Sequence, residues 1–133
     1  MKMQLNQAIE LLKSENVSFV SIQEGKTPVI ENEIGIKPIM ICLRAEKQAF
    51  LGGVIADKII GKAAALMMVL GGAKAVYGEI MSEAAVNIFE KNHIYFRFGT
   101  LVPYIENRQR TGRCPMEETV LNIEDPEIAF VEL

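Results

Sequence analysis

The chain has 133 residues, half of them hydrophobic and 23% charged, with 14 basic and 17 acidic side chains and a net charge of −3. That length and composition predict one globular domain over residues 1–133 with a proper core. Nothing in it resembles the basic footprint of a nucleic-acid binder, the opening MKMQLNQAIELLKSEN is too polar for a signal peptide, and no apolar run approaches the ~18 residues of a membrane span, so a soluble, cytoplasmic protein is expected.

In chain order, Leu5, Ala8, Ile9 and Leu12 recur at helical spacing and predict an opening helix over 3–14. VSFVSIQ and TPVIENE flank Glu24-Gly25-Lys26 as a hairpin, with Pro28 pushing the second strand towards a sheet edge. Lys37-Pro38 opens a short helix ending near Glu46. AFLGGVIA suits a strand buried on both faces. Asp57 follows as N-cap of a helix, KIIGKAAALMMVL, which Gly71-Gly72 stop. AKAVYGEIM is the next strand, Ser82 caps the helix EAAVNIFEKN, and HIYFRFG is a further strand. The tail adds an extended segment, a loop and two short helices, the last starting at Asp125-Pro126. Strand and helix alternating at this spacing means two right-handed crossovers and parallel strands. The expected fold is a three-layer α/β/α sandwich whose mixed sheet has an antiparallel hairpin and three parallel strands. Ligands bind such sheets beyond the carboxyl ends of the strands, where helix N-termini converge.

Cys42 and Cys114 are the only cysteines and His93 the only histidine, so no metal-ligand spacing is present and no cofactor is expected. A disulfide is not expected in a reducing compartment. Cys114 precedes Pro115 at a helix start, where a thiol caps poorly. The helix start and Arg113 favour a thiolate, so Cys114 is expected to outreact Cys42, which falls on an apolar helix face. Lys58 and Lys62, placed on one helix face in its first turns, oppose the helix dipole unless an anion sits near, and Gly61 between them fits close backbone or ligand approach. The competing reading is a solvated face with Asp57 capping. Ser82 and Glu83 suit a helix start, and Glu79 near a strand end calls for a lysine partner or an aqueous edge. Glu117 at the third helical position reads as reaching back to cap its own helix. Met40, Met67, Met68 and Met81 read as core fillers and His93 as structural.

The stretches VIADKIIGKAAALMMVLGGAKAVYGEIMSEAAVNIFEKNHI, LVPYIENR and TGRCPMEETVL…DPEIAF resemble the bacterial family of domain of unknown function 1893, over about the last three fifths of the chain. That resemblance implies a cytidine-deaminase-like fold and carries no established activity. Zinc deaminases place H-x-E and P-C-x-x-C at the starts of two crossover helices. Here those places hold Ala56-Asp57-Lys58-Ile59 and Met81-Ser82-Glu83-Ala84-Ala85, without His or Cys. The resulting expectation is a deaminase-like protein lacking zinc that binds a small anionic or nucleotide-like molecule. Lys58, Gly61, Lys62, Ser82, Glu83, Thr111 and Glu117 would line the site. If it catalyses, Cys114 is the nucleophile and Asp57 or Glu79 the base. The alternative is a non-catalytic interaction or regulatory module with a vestigial pocket. A homodimer is expected because symmetric dimers are the commonest assembly.

Overall fold

A computed structural model describes residues 2–33, 35–107 and 109–133. Within them the chain runs α1 (Lys2–Ser14), β1 (Phe19–Ile22), β2 (Val29–Glu31), α2 (Lys37–Ala45), β3 (Val54–Ile60), α3 (Lys62–Leu70), β4 (Ala75–Ser82), α4 (Glu83–Lys91), β5 (Tyr95–Val102), α5 (Pro115–Thr119) and α6 (Pro126–Glu132). The five strands form one open mixed sheet in the order β2-β1-β3-β4-β5. β1 pairs antiparallel with β2 and β3, while β3, β4 and β5 run parallel. The hairpin, the edge position of the strand after Pro28 and the three parallel strands all follow the expected pattern. Among the described residues no helix is long and apolar enough to cross a membrane.

Strand side chains alternate between two buried clusters, because successive residues of a strand point to opposite faces. Val20, Val54, Ala56, Ala75 and Tyr77 pack with Leu5, Ala8 and Leu12 of α1. Phe19, Ile55 and Val76 pack with residues of α2, α3, α4 and α6. In α3 every residue from Lys62 to Met68 is buried, as a helix apolar on all sides requires. Met67, Met68 and Met81 are fully enclosed and Met40 nearly so, the core-filling role expected of them. Gly71 ends α3, and Gly72, at φ 86°, turns the chain back where Leu51 packs against it.

One boundary differs from the sequence reading. Asp57 does not cap a helix: β3 continues through it to Ile60, and α3 begins after Gly61. The strand continues because Ile59 and Ile60 are β-branched and pair with Ile80 and Met81 of β4. The apparent helical period of KIIGKAAALMMVL joins two elements across Gly61, whose extended backbone (φ −100°, ψ −173°) makes it the N-cap. Lys58 and Lys62 therefore lie on a strand and a helix, not on one helix face.

Candidate functional site

The first turn of α3 is where an external anion is expected, and it already holds one supplied by the chain. Glu117, on α5, accepts hydrogen bonds from the backbone N–H of Lys62 at Oε1 and of Ala63 at Oε2, both 2.8 Å. A helix N-terminus carries partial positive charge and unpaired N–H groups, so a carboxylate there is strongly favoured. Gly61 permits the approach, since a Cβ at that position would collide with the Glu117 carboxylate. The close approach inferred for Gly61 is real, and its partner is this side chain. Lys62 is buried, its Nζ donating to Leu121 O at 3.1 Å and pairing with Glu124 at 2.5 Å. The Lys62 ammonium, with help from Lys91, holds the Glu124 carboxyl below its ordinary range. Glu117 thus caps α3, not α5, and α5 has no side-chain cap at Cys114.

Strand parity separates the remaining candidates. Asp57 opposes Phe19 in the register and shares its face, the face of α3. Lys58 points the other way and reaches Asn16 Oδ1, after α1, at 3.5 Å. Glu79 lies near the end of β4, where the pairing with both neighbouring strands skips a residue. It is half-buried, and among the described residues it makes no ion pair or side-chain hydrogen bond, so the expected pairing with a lysine does not form. Ser82 is buried and accepts from Ala85 N at 3.1 Å, capping α4 as expected, with Glu83 exposed beside it. Thr111 is exposed in a loop and exchanges hydrogen bonds with the Asn107 amide. His93, at φ 57°, joins α4 to β5 at the opposite end of the parallel strands.

An open cleft of about 850 Å³ lies where β3 ends. Its walls come from Ile36 and α2 (Lys37, Met40, Arg44), from Ile59 of β3, from Ile105, Glu106, Asn107, Gln109 and Arg110, and from Cys114, Pro115 and Met116. That volume suits a ligand of small-molecule size. A second hollow of about 460 Å³ shares Ile59, Ile105, Glu106 and Arg110 with it and extends to Ile80 and Tyr104. The loop wall is held by a bridge between Glu106 and Arg113 and by the N–H of Cys114 donating to Ile105 O at 3.0 Å. Arg113 stacks over the Tyr104 ring at 5.3 Å. The placement of Cys114 follows: it ends the returning leg of this loop, where Pro115 starts α5. Arg110 adopts a left-handed backbone (φ 58°), a conformation that costs a non-glycine residue about 1 kcal/mol or more.

Among the described side chains of the cleft, cations outnumber carboxylates. Lys37, Arg44 and Arg110 line it against one side-chain carboxylate, Glu106. Among the described residues Arg44 and Arg110 make no ion pair, and Lys37 has only an exposed contact with Glu33 at 3.5 Å. Of the residues expected at the site, Cys114 alone lines this cleft. Glu117 and Lys62 border a smaller hollow of about 80 Å³ with Ser82 and Arg113. The three cations were missed from sequence. Lys37, Met40 and Arg44 stand at helical spacing on one face of α2, a signal that was present; Arg110 sits in a loop with no periodicity to mark it.

Asp57 lies two residues before Ile59 on β3 and is not itself among the residues of the cleft wall. Its carboxyl is buried, and among the described residues Oδ2 has no hydrogen-bond partner. Burial pushes its pKa up to about 8, with the neighbouring backbone N–H groups of Ile59 and Lys58 offsetting only part of that. Cys42, on α2, is also raised, by burial first and then by the Glu31 charge. Among the described residues no three His, Cys, Asp or Glu side chains cluster to hold a metal ion.

A family profile described as "Domain of unknown function (DUF1893)" matches residues 7–133. Among solved structures, a DUF1893 family protein from Thermotoga maritima is similar with a TM-score of 0.87 at 22% identity, over 98% of this chain and 88% of that one. At that identity the likeness is one of fold. No curated protein matches the chain.

Proposed function

We propose, from the premise that the chain belongs to the DUF1893 family, that it binds a small organic anion of nucleotide-like size in the cleft at the end of β3. The observation that carries this reading is the charge of the wall: Lys37, Arg44 and Arg110 face one opening with Glu106 as the one side-chain carboxylate among them. Guanidinium forks match phosphate or carboxylate oxygens two at a time, and apolar Ile36, Met40 and Ile59 offer a surface for the rest of such a molecule. A cytidine-deaminase-like three-layer arrangement belongs to the same proposal, supported by the sheet order and by helices packed into clusters on both strand faces. The first turns of α3 and α4 hold Gly61-Lys62-Ala63 and Ser82-Glu83-Ala84, which offer no imidazole or thiolate for zinc.

Binding without catalysis is the form of this reading the geometry favours. Cys114 lines the cleft, while Asp57 is enclosed and neither Asp57 nor Glu79 is among the residues of its wall, so these three do not form one catalytic group. A role for Cys114 as nucleophile rests on its place in the wall alone. Calorimetric titration with a nucleoside monophosphate, the matching nucleoside and inorganic phosphate tests the reading. The monophosphate is expected to bind more tightly than either part, and Arg110→Ala to weaken it about tenfold, the worth of a charge-assisted contact. Equal binding of nucleoside and monophosphate, or no binding of any of the three, contradicts it.

A further inference from the structure

The hollow of about 460 Å³ beside the cleft is built from different material. It shares Ile59, Ile105, Glu106 and Arg110 with the cleft, so the two form one continuous depression. The residues that belong to the hollow and not to the cleft are Ile80, Val102, Pro103 and Tyr104, none of them charged. Lys37 and Arg44 lie on the cleft side alone. Ile59 and Ile80 are register partners, and Val102 stands two residues beyond Thr100, the partner of Ile80 on β5. The carboxyl ends of three adjacent parallel strands therefore supply this surface, the place where open sheets of this kind receive ligands. Ile80 and Tyr104 are 37% and 41% exposed, so apolar surface is left open there. Arg113 stacks over the Tyr104 ring but borders the small hollow of Lys62 and Ser82, not this one. The stack steadies the ring and leaves it available to the larger hollow.

We infer that this hollow is the second half of the ligand site and takes a flat apolar ring, covalently joined to the anionic group that the cations of the cleft hold. The inference rests on the proposed anion site and adds the class of its ligand, an aryl phosphate or a like ring-bearing anion. Charge divides the two halves. An anionic group is drawn to Lys37, Arg44 and Arg110. The same group placed among Ile80, Val102, Pro103 and Tyr104 would lose water without gaining a charged partner. An uncharged ring gains there instead by burying apolar area, and the Tyr104 ring offers it a stacking surface. Arg110 belongs to both halves, so the head and the ring of one molecule meet beside it. Among the described side chains that belong to the hollow alone, the Tyr104 hydroxyl is the one hydrogen-bonding group. With Arg110 engaged by the anion, ring area and not a hydrogen-bond pattern sets affinity in this half.

Calorimetric titration of the full chain with methyl, phenyl and naphthyl phosphate tests this, because the esters share one anionic head and differ in ring area. The wild type is expected to bind the naphthyl ester about fivefold tighter than the phenyl ester, and the phenyl ester tighter than the methyl. Tyr104→Ala and, on a separate element, Ile80→Thr should bring the phenyl and naphthyl esters to within about twofold of each other, with methyl phosphate unchanged. Tyr104→Phe should keep the wild-type order, because it keeps the ring. Arg44→Ala should weaken every ester about tenfold and preserve their order. Equal binding of the esters by the wild type overturns the inference and leaves the anion site standing. So does a naphthyl preference that survives both Tyr104→Ala and Ile80→Thr. A preference lost in Tyr104→Phe as fully as in Tyr104→Ala also overturns it, since the hydroxyl and not the ring would then be the contact. No binding of any ester, or binding indifferent to Arg44, overturns the anion site and this inference with it.

Discussion

The start of α3 and the cleft beyond β3 lie close in sequence and differ in one respect: whether the chain satisfies its own polar groups. At α3, Glu117 takes two backbone N–H groups and Glu124 takes the Lys62 ammonium. Among the described residues, Arg44 and Arg110 at the cleft have no carboxylate partner, and the buried Asp57 Oδ2 of β3 has no hydrogen-bond partner. Both regions contain lysine or arginine near a helix start, so charge type does not distinguish them. What distinguishes them is completeness. The first is a structural joint tying α5 to α3, and the second leaves its cations without a carboxylate of the chain.

The comparison is sharpened most by removing the buried acid of β3. The folded pKa of Asp57, about 8, lies above its ordinary value of 3.8, so the folded chain holds this proton across that interval and the unfolded chain does not. Stability is therefore fullest below about pH 4, declines as pH rises towards 8, and levels off above, with a limiting slope of about 1.4 kcal/mol per pH unit for one proton. Asp57→Asn imitates the protonated form and should lose this decline, making it more stable than wild type above pH 8 in urea titrations. An unchanged slope would show that Asp57 finds a partner or water.

Breaking the closed region comes next. Glu117→Ala leaves two N–H groups at the start of α3 without their carboxylate and should cost about 3 kcal/mol in urea unfolding. Gly61→Ala should act in the same direction by displacing that carboxylate. Inorganic phosphate should then stabilise Glu117→Ala more than wild type, because the vacated N-terminus accepts an anion. Equal stability of wild type and Glu117→Ala would remove the joint from the account. The smallest effect concerns the thiols. Cys114 on the cleft wall should react with iodoacetamide several-fold faster than Cys42, whose thiolate is disfavoured by burial and by Glu31, and a nucleoside monophosphate should slow Cys114 alone. Equal rates in the folded protein would leave Cys114 as an uncapped helix start.

Much of the architecture was legible, because it rests on local periodicity and punctuation. Leu5, Ala8 and Leu12 marked α1, Pro28 marked the edge strand, and Ser82 and Asp125 marked helix starts that they do cap. The boundary at Gly61 was misplaced because Asp57 is a good N-cap residue and Ile59-Ile60-Gly61-Lys62 suits either a helix or a strand end. That slip moved Lys58 to the wrong face, since parity in a strand decides which side a residue meets. The partner of the α3 start was not legible, because Glu117 lies 55 residues beyond Lys62 and nothing local joins them. Helix electrostatics favour an anion at the first turn of α3, but a local sequence pattern does not tell a ligand from a distant glutamate. Arg110 reached the cleft through a loop conformation that its sequence does not announce.

The central claim is that an external anion binds among Lys37, Arg44 and Arg110 and not at the start of α3. It is tested most directly by titrating a nucleoside monophosphate into two variants, Arg44→Ala and Lys58→Ala, beside the wild type. The account predicts about tenfold weaker binding for Arg44→Ala, about 1.4 kcal/mol, and wild-type affinity for Lys58→Ala. Wild-type affinity in Arg44→Ala together with weakened binding in Lys58→Ala would contradict it.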